Sequence, residues 1–134
     1  MRSKNTYLRL QRFRVEERRR QVQAIEAMIA DFRRKQDDLD RQIAAEEQRN
    51  GVTDPGHFSY SMTAKSLRGR RDNILRSMSE LEAELDDAKE RFAAEESELR
   101  KLELLAEKEG GVAQLAAPAT DSGGDTSRWR NSFS

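Results

Sequence analysis

From Leu8 the chain repeats a seam at alternating steps of three and four: Leu8, Gln11, Val15, Arg18, Val22, Ile25, Ile29, Phe32, Gln36, Leu39, Ile43 and Glu46. Apolar residues hold it continuously from Val22 to Phe32, and Leu39 and Ile43 resume after Gln36. A repeat of about 3.5 residues sustained this long predicts a coiled coil, not a helix lying on a globular core. A second seam with the same alternation runs through Leu67, Arg71, Ile74, Met78, Leu81, Leu85, Ala88, Phe92, Glu95, Leu99, Leu102 and Ala106. Between the two lies Asn50–Tyr60, N-G-V-T-D-P-G-H-F-S-Y, the one dense cluster of helix breakers in the patterned region. Proline removes a donor and clashes with a continuing helix, and glycine accepts the positive φ that a reversal often needs.

The expected fold is therefore all-α: an antiparallel two-helix coiled-coil hairpin with arms near 5–50 and 60–109 and its turn at 50–60. Ser59 or Ser61 can cap the start of the second arm. Gly110-Gly111 is the expected end of that arm, by the left-handed cap conformation that glycine takes readily. Residues 110–134 are dominated by small and polar side chains and are expected to form a disordered tail, with Trp129 and Phe133 as its only large aromatics.

Folding back at Pro55 pairs Leu8 with Leu102, Val22 with Ala88, Ile29 with Leu81 and Ile43 with Leu67. It also brings Arg12 near Glu96 and Arg14 near Glu98. Charge supports this direction independently. Residues 1–20 carry eight basic and two acidic side chains, and residues 80–109 carry five basic and twelve acidic ones. An antiparallel arrangement lays the basic start along the acidic end, whereas a parallel dimer would set basic beside basic.

Composition narrows the function classes. The chain has 134 residues, 37% of them charged and 6% aromatic, which is too little apolar material for an ordinary globular core. The formal net charge is zero, so the whole molecule has no bulk attraction for nucleic acid or acidic membranes. Cysteine is absent, excluding disulfides and thiolate metal sites. No apolar run is long enough for a membrane crossing, and none resembles a signal peptide, so the expectation is a soluble cytoplasmic protein.

Chemistry is sparse. Asp37-Asp38 and Asp86-Asp87 look like acid pairs but fall at b and c positions, which face water. His57, the single histidine, lies in the turn. No phosphate-binding loop and no metal-spaced histidine cluster is present, and a two-helix hairpin is expected to supply no concave site for a substrate. The expectation is no enzymatic activity, no cofactor and no metal. Interaction residues are better represented. Leu10 and Phe13 fall off the seam at c and f beside Tyr7, amid the basic run Arg9, Arg12, Arg14, Arg18, Arg19 and Arg20. Arg68–Arg71, R-G-R-R, makes a basic patch beside the turn, without the interleaved aromatics that single-strand binding uses.

I-E-A-M-I-A-D-F at Ile25–Phe32, D-L-D-R-Q-I-A-A-E-E-Q-R-N-G at Asp38–Gly51, D-P-G-H-F-S-Y at Asp54–Tyr60 and R-R-D-N at Arg70–Asn73 together resemble the flagellar export protein FliJ family, in its alphaproteobacterial form. The resemblance runs from about Arg2 to Leu105. It implies a component of the flagellar type III export apparatus in bacterial flagellum biogenesis. Such a coiled coil is similar to the stalk of rotary ATPases, inserts into the hexameric export ATPase, and engages the cytoplasmic domain of the membrane export gate. Export chaperones are further possible partners, and nucleic acid and membrane insertion are not expected. The implied location is the cytoplasm, peripherally at the inner membrane of the flagellar base. The family has no catalytic residues to carry over. Its ATPase contact at the helix termini maps to Arg9, Leu10, Arg12, Phe13 and Arg14, and its gate contact toward the loop maps to Phe58, Tyr60 and Arg68. The alternative function is a generic coiled-coil scaffold or a nucleic-acid-binding hairpin, resting on the basic run and Arg68–Arg71.

Overall fold

A computed structural model describes residues 2–116, with side-chain environments from Ser3 to Gly110. Two helices account for it: α1, Arg2–Asn50, and α2, Met62–Ala116. They pack against each other as a helical hairpin. Every seam residue named above is buried or half-buried, in both helices. Leu8, Val15, Val22, Ile29 and Ile43, at alternate seam steps of α1, are all buried.

The chain forms two compact units, and each is antiparallel within itself. One comprises the described residues of Met1–Val22 and Ala88–Ser134, the other Gln23–Asp87. In the first, Lys4 pairs with Glu109, Arg12 Nη2 lies 3.5 Å from Glu103, and Arg18 Nε lies 3.9 Å from Glu95. In the second, Arg33 pairs with Glu82 at 4.0 Å, Asp40 with Arg71 at 3.2 Å, and Glu47 with Arg68 at 3.2 Å. As α1 numbers rise, α2 numbers fall. Leu39, Ile43 and Leu67 form a buried cluster with Ile74 packed on it, so Ile43 meets the expected neighbourhood of Leu67.

The turn is built by short-range chemistry. Gly51 closes α1 with φ +78° and donates its N–H to the Glu47 carbonyl at 2.8 Å, a left-handed glycine cap. Asp54 Oδ1 accepts the Gly56 N–H at 2.9 Å, and the His57 N–H reaches the Asp54 carbonyl at 3.0 Å. Pro55 thus occupies the second position of a β-turn that its fixed φ favours. Ser61 is the cap of α2: its Oγ accepts the Ala64 N–H at 3.1 Å. Ser59 serves differently: its backbone carbonyl accepts from the Asn50 side-chain amide at 2.7 Å across the loop.

The expected stop at Gly110-Gly111 is overturned. α2 continues through both glycines to Ala116, and Gly110 has no positive φ. A glycine inside a helix costs only about 1 kcal/mol relative to alanine, which permits continuation. Pro118 follows two residues after the observed end and is the stronger stop signal. The disordered-tail expectation beyond Ala116 lies outside the described residues.

Candidate interaction surfaces

At the turn, one polar cluster ties loop to helices. The Tyr60 hydroxyl donates to Glu47 Oε2 at 2.7 Å and accepts from Arg68 Nε at 2.8 Å. Arg68 Nη2 closes the ring by donating to the same Glu47 oxygen at 3.2 Å. Tyr60 itself is buried and Glu47 and Arg68 are half-buried, so all three groups satisfy one another where water is scarce. The bond from Tyr60 chiefly, aided by Arg68, holds the Glu47 carboxyl below the usual carboxylate range against the opposing effect of burial. Burial first, and then the bond to Glu47, push the Tyr60 phenol up.

A depressed carboxyl contributes stability above its unfolded pKa, and that contribution is lost as pH falls through the lower folded value. Acidification below about pH 4.3, the ordinary glutamate value, should therefore weaken the wild-type fold more steeply than that of Glu47→Gln. Thermal melts of both proteins across that window check this. A constant difference at every pH would contradict it.

The three loop-side residues singled out in the sequence thus divide. Tyr60 and Arg68 are engaged inside the fold, and Arg68 also lies over the Tyr60 ring at 5.9 Å. Phe58 is 94% exposed and stacks on His57 at 4.6 Å between ring centroids. The Ser59 N–H donates to His57 Nδ1 at 3.0 Å, which fixes the imidazole beneath the phenyl ring. Met62 is exposed beside them in the chain. The loop therefore holds an apolar side chain outward on a hydrogen-bonded base.

In the terminal unit, Leu10 and Phe13 are exposed, as their off-seam positions require, and Arg9 and Arg14 are exposed with them. Arg12 is half-buried and paired. Much of the basic run is neutralised locally: Arg19 pairs with Glu16 at 3.1 Å and Arg20 with Glu17 at 2.7 Å. Arg19 also lies over the Phe92 ring at 5.3 Å. Arg12, Arg19 and Arg100 line a shallow groove together with Glu16, Glu96 and Glu103, so its charged lining is balanced.

Two seam residues behave in ways their positions did not reveal. Gln11 is buried and donates Nε2 to the Glu95 carbonyl at 2.9 Å and to Glu95 Oε1 at 3.1 Å. Such a paired polar contact fixes one register, because sliding would leave the amide unsatisfied. Arg71 donates Nη1 to Asp40 at 3.2 Å, while its Nε is buried without a hydrogen bond and lies 3.9 Å from Asp72.

Asp37, Asp38, Asp86 and Asp87 are all exposed, and Asp38 holds Arg41 at 2.6 Å. Among the described residues no cluster of acidic or histidine side chains could hold a metal, and no helix is long and apolar enough to cross a membrane. No family model, curated protein or solved structure matches this chain. Function must be argued from its own surfaces.

Proposed function

We propose that the chain is a stalk-like coupling component of the flagellar type III export apparatus. In this reading it joins an export ATPase ring to the cytoplasmic domain of the export gate and assists substrate delivery. The observation that carries it is a helical hairpin whose loop sequence, D-P-G-H-F-S-Y, is the most specific part of the FliJ resemblance and presents Phe58 to solvent. Exposed Leu10 and Phe13 with Arg9 and Arg14 supply a separate contact set for the ring, supported by Arg12. Phe58 supplies the gate contact, with Tyr60 and Arg68 holding the loop that carries it. The chain acts by binding, without catalysis of its own, and export chaperones are further candidate partners. Its place is the cytoplasmic face of the flagellar base.

The nucleic-acid alternative draws less support, because Arg12, Arg18, Arg19 and Arg20 already face carboxylates. In the bacterium that encodes the chain, deletion should leave cells with few or no filaments, and the wild-type chain should restore them. Normal filaments in the deletion strain would rule the proposal out.

A further inference from the structure

The heptad positions give the terminal unit two unlike flanks. On the e flank Arg12 meets Glu103, cation to carboxylate. On the opposite flank the heptad positions place Tyr7 of α1 and Leu105 of α2, both g residues, with Leu10 one turn along from Tyr7 at c. Tyr7 is 64% exposed, Leu10 43% and Leu105 56%. Phe13 and Leu104 extend this apolar surface around the backs of their helices, and both are also exposed. Contiguous exposed apolar surface of a few hundred Å² marks an interaction site, unlike single scattered residues.

The rim specifies what the surface fits. Lys101 and Lys108 stand one turn before and one turn after Leu104 and Leu105, at c positions on this flank, and Arg14 stands one turn beyond Leu10. All three are exposed, and none is engaged in an ion pair among the described residues. Two exposed carboxylates share this rim, Glu98, one turn from Lys101 and opposite Arg14 in the same register, and Glu107 beside Lys108, while Glu109 already holds Lys4 and Glu17 holds Arg20, so cations outnumber the carboxylates left over. An apolar strip with a net cationic border is complementary to an amphipathic helix whose apolar stripe is bordered by acidic residues.

We infer that the Tyr7–Leu10–Leu105 flank docks an acidic-bordered amphipathic helix of a partner protein as a third strand against the two. Two other occupants fit the charges worse. A second copy of this chain, face to face, sets Lys101 and Lys108 against their own counterparts. The segment after Ala116 offers Trp129 between Arg128 and Arg130, of the same sign as the rim. The inference shares Leu10, Phe13 and Arg14 with the ring reading and adds Tyr7 and the α2 residues Lys101, Leu104, Leu105 and Lys108, and its peptide test needs no ATPase.

The test uses the full chain and a fluorescent synthetic peptide of about three heptads with leucine at a and d and glutamate at e and g, whose like charges oppose its own association. A control peptide carries lysine at e and g. The glutamate peptide should bind at least about tenfold more tightly than the lysine peptide, with the margin shrinking as salt rises. Leu104→Ser with Leu105→Ser should weaken it about ten- to a hundredfold at unchanged helicity, since both side chains lie off the seam. Lys101→Glu with Lys108→Glu should reverse the preference. Equal binding of the two peptides, or no binding, overturns the inference. So does sedimentation showing a dimer that Leu105→Ser dissolves, which makes a second copy the occupant. Tighter peptide binding by a Trp129→Ser, Phe133→Ser chain overturns it in favour of the chain's own terminal segment.

Discussion

Replacing Ile29 with aspartate should cost the hairpin about 3 kcal/mol or more, whereas Asp37→Ala should change stability by less than about 0.5 kcal/mol. Ile29 is 5% exposed and sits at a buried seam step of α1. A carboxylate there must either stay ionised against apolar neighbours or take up a proton, and both are costly. A two-helix fold has no further layer into which the side chain can turn. Asp37 is exposed at a b position, and alanine is the better helix former, so its loss removes nothing from the seam. Urea unfolding followed by circular dichroism checks the pair. Equal midpoints would mean that the heptad assignment is wrong in this unit.

The second large effect belongs to the buried cluster near the turn. Ile43→Ala should destabilise by about 2–5 kcal/mol, through lost burial and the cavity left between Leu39 and Leu67. Leu75 lies in the same unit at an e position and is 40% exposed. Leu75→Ala removes a similar volume from a site that water already reaches, so its cost should be under about 1 kcal/mol. The comparison separates seam from flank with matched chemistry. If both truncations cost the same, the fold is held by diffuse apolar cover and not by a seam.

The seam, the turn and the direction of the helices were legible because each rests on local or periodic signals. A one-step error in the heptad would have placed Arg33 or Asp37 inside, yet both are exposed while Ile29 and Ile43 are buried. Ser61 could be read as a cap because its hydroxyl needs only the amide three residues on. What stayed hidden depends on register across the helices. Nothing in the heptad marks Glu47 as the acceptor for both Tyr60 and Arg68, residues 13 and 21 positions away. Tyr60, which the resemblance maps to the gate contact, is buried and bonded to Glu47, which no local signal reveals. The same holds for Gln11, whose amide finds a carbonyl 84 positions along the chain. The end of α2 was misplaced for a different reason: two glycines weaken a helix by about 1 kcal/mol each, but nothing there requires a positive φ. Exposure of Leu10 and Phe13 followed from their c and f positions.

The proposed coupling role requires two separable contacts, and direct binding of the purified full chain to each proposed partner tests it most directly. Leu10→Ser with Phe13→Ser should weaken binding to the export ATPase hexamer and leave capture by the gate's cytoplasmic domain unchanged. Phe58→Ser should do the reverse, with circular dichroism showing the same helicity in all three proteins. The account is contradicted if both sets of changes weaken the same partner equally, or if the wild-type chain binds neither.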